Sequence, residues 1–266
     1  MRRWELAVVV LLGLLLCVLL VTPALAFTDV SESHPYHDAI EELSGEGIID
    51  GFGDGTFGPD EPVRRSQFAK VITLTLELPV SEDMPLGPFT DLGTDSPGSL
   101  YPHEYVACVY DHKITVGTSE TTFSPWADIT RAQVITMAVR AVESEFPGLL
   151  QDPSSGFSGT WGSFSPTHEA HARKAQYNDL LSGLPLSSLD PWQKMPRGEV
   201  AQVLGNLLSL LSGSGRQVPD GWTVTRLTDN TYDDRYPRIH NGQVVWQGRQ
   251  PNSDGTNDWE IFLATK

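Results

Sequence analysis

A spacing of 66 residues limits this chain more than any other feature. Slid against itself by that interval, the sequence aligns Ile48 with Ile114 and Leu180, Gly51 with Gly117 and Gly183, and Phe57 with Phe123 and Leu189. Pro59, Pro125 and Pro191 follow, then Val63, Ile129 and Met195, then Arg65, Arg131 and Arg197, then Phe68, Val134 and Val200. Seven classes of position recur three times with no insertion between them, so the chain is a tandem repeat.

Each unit has the same order of parts. A first helix carries apolar residues at helical spacing, Ile40 and Leu43 before Ile48 in one copy, Val106 and Val109 before Ile114 in the next. A glycine-marked loop ends in proline. A second helix follows in QFAKVITLTLEL, QVITMAVRAVESEF and EVAQVLGNLLSLL, with apolar residues three and four apart. One helical hairpin cannot bury such a face alone, so the three copies must share a core. The expected fold is mainly α: three helix-loop-helix repeats in one bundle, followed by a short β segment.

The loop GIIDGFGDGTFGPDEPV, residues 47–63, is rich in glycine and aspartate. A calcium loop opened by Asp50 would place Phe52 at its third ligand position, and the second copy, TVGTSETTFSP, has no aspartate. A phosphate loop needs a Gly-Lys-Ser or Gly-Lys-Thr ending, which is missing. Glycine here supplies the positive φ of tight turns, and Phe57 and Phe123 are expected to plug the core.

The arginine is less easily explained. Thr130 and Gln133 have the spacing of a capping box, which puts Arg131 in the first turn of a helix. A cation there faces the positive end of the helix dipole, typically at a cost of a few tenths of a kcal/mol. Arg65, Arg131 and Arg197 all accept that cost, so each needs an anion. Two sources fit, an aspartate of a neighbouring repeat or an anionic ligand.

The first 26 residues read as a secretory leader, with Arg2 and Arg3, an apolar stretch from Leu6 to Val21, and Ala24-Leu25-Ala26 before Phe27. An uncleaved membrane anchor is the alternative, although the apolar stretch is short for a span. Without the leader only Cys108 of two cysteines remains, which excludes an internal disulfide and a thiol-ligated zinc site. The chain holds 18 Lys and Arg against 34 Asp and Glu. Losing Arg2, Arg3 and Glu5 leaves a formal charge of about −17, which argues against nucleic acid or anionic lipid as a partner.

The units resemble S-layer homology repeats, the modules by which many bacterial surface proteins attach to the cell wall. The residues carrying the likeness are FTDV (27–30), GIIDG (47–51), DGTFGP (54–59) and RRSQ (64–67) in the first copy. The second has FTDL (89–92), ITVG (114–117), TTFSP (121–125) and TRAQ (130–133); the third has FSGT (157–160) and PRGE (196–199). The resemblance implies repeats at 27–84, 85–150 and 151–212, the last degenerate, in a pseudo-threefold bundle. It also implies grooves between repeats that hold a secondary cell-wall polysaccharide, often carrying a pyruvate-ketal carboxylate. The implied ligand residues are Arg65, Arg131 and Arg197, with Asp29 and Asp91 orienting the arginine or accepting from sugar hydroxyls. Departures are visible: Gln67 and Gln133 replace the motif glutamate, Arg64 and Pro196 its threonine, Pro35-Tyr36 a Trp-Ala pair, and Gly159 the third opening aspartate.

Beyond a linker at 213–222, residues 223–266 resemble one blade of a TolB-type β-propeller, with an Asn-Gly hairpin in IHNGQVVWQG and a further strand in WEIFLAT. This blade is a candidate protein contact. Asp229, Asp233, Asp234, Asp254 and Asp258 read as solvated turn residues rather than a calcium site. His34 with His37, and His168 with His171, have ligand-like spacing but no third partner. No cofactor, metal or catalytic residue is expected. Three functions stay open: a wall anchor, a surface or protein-contact module that has lost its ligand, and the non-catalytic front part of an envelope hydrolase.

Overall fold

A computed structural model describes residues 27–213 except 95, 97 and 160, and the backbone of 234–240, 243–251 and 257–264. The expected leader, and the expected linker beyond Gly213, lie outside the described residues, as do most of the C-terminal aspartates. The chain divides into two compact units, Met1–Gly215 and Arg216–Lys266. Among the described residues, no helix is long and apolar enough to cross a membrane.

The described residues of the first unit form six α-helices: α1 His37–Gly45, α2 Arg65–Thr75, α3 His103–Asp111, α4 Arg131–Glu145, α5 Pro166–Tyr177 and α6 Arg197–Gly213. The mainly α reading holds, with two helices in each repeat. Each first helix ends in the same reverse turn. Gly47, Lys113 and Asp179, also 66 apart, have φ of 69°, 60° and 58°. The next residues, Ile48, Ile114 and Leu180, donate back five positions to Leu43, Val109 and Ala175 at 2.9–3.0 Å. This left-handed cap satisfies carbonyls the helix leaves bare and folds the following apolar residue into the core. That is why these three positions recur as Ile, Ile and Leu.

No repeat packs mainly on itself. α3 lies against α2, α5 against α4, and α1 closes the ring against α6, so each first helix covers the second helix of the preceding repeat. The second helices α2, α4 and α6 meet one another inside. A cyclic set of backbone bonds joins the segments before them: Val63 N–H donates to Met195 O (3.2 Å), Ile129 to Val63 O (2.8 Å) and Met195 to Ile129 O (2.9 Å). All three side chains are buried. The apolar repeat positions therefore form one core, as the shared-face argument requires.

Glycine at 51 and 117 answers to space rather than to turn geometry alone. The Phe27 ring lies on Gly51 and the Phe89 ring on Gly117; a Cβ would come within 2.2 Å of the first and 2.4 Å of the second. These rings lean on Phe57 and Phe123 at 5.3 and 5.6 Å. Cys108 is fully buried, and burial raises its thiol pKa to about 11, as expected of an inert core residue.

The second unit contains β1 Asp234–His240, β2 Gln243–Pro251 and β3 Asn257–Ala264. They form an antiparallel meander in the order β1-β2-β3. His240 pairs with Gln243 where β1 meets β2, and the Asn-Gly turn expected between them lies outside the described residues. The register shifts between Arg235 and Arg238, around Pro237, which has no N–H to give to the ladder.

Candidate functional site

The three arginines stand at equivalent places, the first residues of α2, α4 and α6. The bare N–H groups of those helix starts are satisfied by the neighbouring repeat. Arg65 N–H donates to Ala127 O, Arg131 to Gln193 O and Arg197 to Glu61 O, at 2.8–3.1 Å. Ser66, Ala132 and Gly198 donate likewise to Pro125, Pro191 and Pro59. These carbonyls offset the positive end of each helix dipole, so the cost anticipated for the arginines is partly removed by the backbone.

The side chains differ more. Arg65 is 4% exposed; its Nε donates to Phe123 O at 2.7 Å and its guanidinium lies 4.7 Å from the Phe123 ring centre. Arg197 repeats this with Phe57, through Nε to the carbonyl at 2.8 Å and a ring distance of 4.3 Å, and adds Nη2 to Asp50 O at 2.6 Å. Arg131 instead makes a two-pronged pair with Glu199, Nε to Oε2 at 2.5 Å and Nη2 to Oε1 at 2.7 Å. Its Nη1 reaches Asp190 O at 3.3 Å.

Two local facts explain the exception. The carbonyl equivalent to those of Phe57 and Phe123 belongs to Leu189, and the indole of Trp161 has taken it at 3.2 Å. Glu199, meanwhile, is free to turn toward Arg131. In α2 and α4 the same helix position holds Gln67 and Gln133, which accept from the backbone N–H of Arg64 (2.8 Å) and Thr130 (3.1 Å). Before α6 stands Pro196, which has no N–H to offer.

The opening aspartates touch no arginine. Asp29 accepts from the backbone of Phe57 and Gly58 at 2.8 and 2.7 Å, and Asp91 from Phe123 and Ser124 at 2.9 and 2.7 Å. They clip the loop whose phenylalanine carbonyl then meets an arginine of another repeat, so their orienting effect is indirect. Some acidic charge does reach across: Asp91 opposes the effect of burial, which lowers the pKa of Arg65 to about 10. Arg65 thus remains cationic at neutral pH. Its Nη groups have no hydrogen-bond partner among the described residues.

Burial pushes the Asp29 carboxyl upward, but the N–H groups of Phe57 and Gly58 outweigh it and hold the group below its ordinary value. Its stabilising effect is therefore complete above the unfolded pKa of about 3.9 and fades as pH falls through the lower folded value. Asp29→Asn is expected to flatten the loss of stability below about pH 4, measured by urea unfolding between pH 2 and 6. An unchanged acid slope would remove Asp29 from that role.

The third repeat has a cavity of about 320 Å³ beside Gly159, Trp161, Phe164, Glu169, Arg173 and Gln176, opened where glycine replaces the clipping aspartate. The histidine pairs stay apart from any metal geometry. His168 Nδ1 meets Thr136 Oγ1 at 2.6 Å, and among the described residues no three His, Cys, Asp or Glu converge.

Residues 26–69 and 88–135 match the S-layer homology domain. The two matched segments run through α1 into the start of α2 and through α3 into the start of α4, and contain Arg65 and Arg131 respectively. The chain is 32% identical over 139 residues to an S-layer protein of Bacillus licheniformis, covering 52% of this chain and 15% of that protein. It is 27% identical over 186 residues to an endoglucanase of Bacillus sp. strain KSM-635, 70% of this chain and 19% of the enzyme. A cellulosome-anchoring protein of Acetivibrio thermocellus is 29% identical over 126 residues, 45% of this chain and 26% of its own. The chain thus spans about a quarter or less of the length of these relatives. The matches to the S-layer homology domain and to S-layer proteins indicate an exported protein located at the cell surface or wall.

Residue spacing alone missed the pairing of Glu199 with Arg131. The available signal was Pro196, which leaves the following glutamate without a cap to serve.

Proposed function

We propose that the bundle anchors an exported protein to the bacterial cell wall, without a covalent bond, by holding carboxylates of an anionic wall polysaccharide against Arg65 and Arg197. The observation that carries this reading is the contrast among the arginines. Arg131 has the carboxylate of Glu199, whereas Arg65, equally buried, has a carbonyl and an aromatic ring in its place. A pyruvate-ketal carboxylate at Arg65 would do what Glu199 does at Arg131, and guanidinium matches it with parallel hydrogen bonds. Asp29 and Asp91 would position the loops, and the Arg131 seam would be closed by the protein's own glutamate.

The names of the relatives, S-layer protein and cellulosome-anchoring protein, agree with attachment at the surface. The endoglucanase match covers a minor share of that enzyme, as a shared non-catalytic module would. On this reading the repeats span 27–84, 85–150 and 151–212. The strands of 223–266 form a TolB-like blade whose open edges are available to further blades or a protein partner.

Arg65→Gln combined with Arg197→Gln is expected to weaken binding of the full chain to sacculi that retain their polysaccharide by roughly 100-fold. Circular dichroism would check that the bundle remains folded. Undiminished pelleting of the double variant, or equal pelleting of the wild type with stripped sacculi, would overturn the reading.

A further inference from the structure

We propose that Trp126 is a stacking platform for the sugar ring next to the carboxylate held at Arg65. This rests on the reading of Arg65 given above and extends it from one charged group to a neighbouring neutral saccharide unit.

Trp126 is 50% exposed, unusual for an indole in a well-packed loop. Its backbone is fastened to the helix turn that carries Arg65. The carbonyls on either side of it, Pro125 and Ala127, accept from Ser66 and Arg65 N–H at 3.1 and 3.0 Å. The indole is also propped from the side. Tyr101 stands edge-on to it, 6.3 Å between ring centres and 71° between planes. The Tyr101 hydroxyl lies 2.7 Å from Ser66 Oγ, which itself donates to Pro125 O at 2.8 Å.

The result is a rigid aromatic surface that loses little conformational freedom on binding. The indole N–H has no partner among the described residues. An apolar face with one unused donor suits a pyranose, whose C–H groups pack on the ring while a hydroxyl accepts from the N–H.

The next repeat supplies a built-in contrast. Trp192, 66 residues on, is 46% exposed and has an aromatic neighbour in His168 at 5.6 Å. Its indole N–H, however, is spent on Ser163 O at 3.0 Å, and the adjacent arginine is neutralised by Glu199. In the first repeat the position is Asp60. Among these three equivalent positions, only Trp126 combines an open indole, a donor without a partner among the described residues and an arginine without a bonded carboxylate.

The test uses the full chain carrying Arg197→Gln, so that the Arg65 seam alone contributes. The probe is wall polysaccharide released from sacculi, titrated by tryptophan fluorescence and confirmed by co-sedimentation with sacculi. Trp126→Ala is expected to weaken binding about five- to tenfold, Trp126→Phe to restore most of it, and Trp192→Ala to leave it unchanged. Undiminished binding by Trp126→Ala, where Arg65→Gln abolishes binding, overturns the platform and leaves the Arg65 reading intact. Equal losses from Trp126→Ala and Trp192→Ala also overturn it, in favour of a general surface contact. Should Arg65→Gln bind as tightly as its parent, both readings fall.

Discussion

Phe123→Ala is expected to destabilise the bundle by about 3–5 kcal/mol, the range for emptying a phenylalanine site in a core. In a domain of this size that corresponds to a fall in melting temperature of roughly ten degrees. The ring is fully buried, packs on Phe89 and lies under the Arg65 guanidinium. Its own backbone is held at both polar atoms, the N–H by Asp91 and the carbonyl by Arg65. Alanine would leave a cavity that this fixed backbone cannot collapse to fill. Phe123→Leu is the control, because Leu189 occupies the equivalent position in the third repeat; it is expected to cost less than about 1.5 kcal/mol. Thermal or urea unfolding of both variants checks the difference, and equal costs would show that the loop, not the ring, carries the stability.

Glu199→Gln is expected to be comparably damaging, by about 3–5 kcal/mol, because it leaves one partner of a buried pair charged and uncompensated. Arg131 and Glu199 are 8% and 6% exposed, and the pair joins α4 to α6, where the second and third repeats meet. The amide would set an N–H₂ against a guanidinium that can only donate. Removing both charges is a different matter. Replacing buried ion pairs by apolar residues of similar size is often neutral or better, so Arg131→Met with Glu199→Leu should recover most of the loss. A double-mutant cycle by urea unfolding measures this. If Glu199→Gln is as stable as the wild type, the pair is not the internal counterpart of the proposed ligand contact.

The repeat, the two helices per unit and the buried positions were legible in the sequence, because each depends on local periodicity or on one residue type recurring at a fixed interval. Phe57 and Phe123 could be named as core plugs before any contact was known, and both are fully buried. The arginines were legible as a problem, three cations where a helix start disfavours them, but not as a solution. In one repeat the anion is Glu199, in the other two a phenylalanine carbonyl and ring. Nothing in the shared spacing distinguishes these outcomes. The opening aspartates, expected to orient the arginines or to accept from sugar hydroxyls, accept from the backbone N–H groups of Phe57 and Phe123, a role that the shared spacing did not reveal.

By itself, the sequence determined that three helical hairpins must share one core, since no hairpin alone can bury its apolar face. Only the tertiary structure decided that each first helix crosses to the preceding repeat and that α1 closes on α6. The meeting of α4 with α6 brings Arg131 and Glu199, 68 residues apart, into contact, while Arg65 is left with a carbonyl and a ring. Periodicity says which faces are buried. Which charge meets which is set by the packing of whole repeats, where one indole taking a carbonyl and one proline lacking an N–H redirect a buried ion.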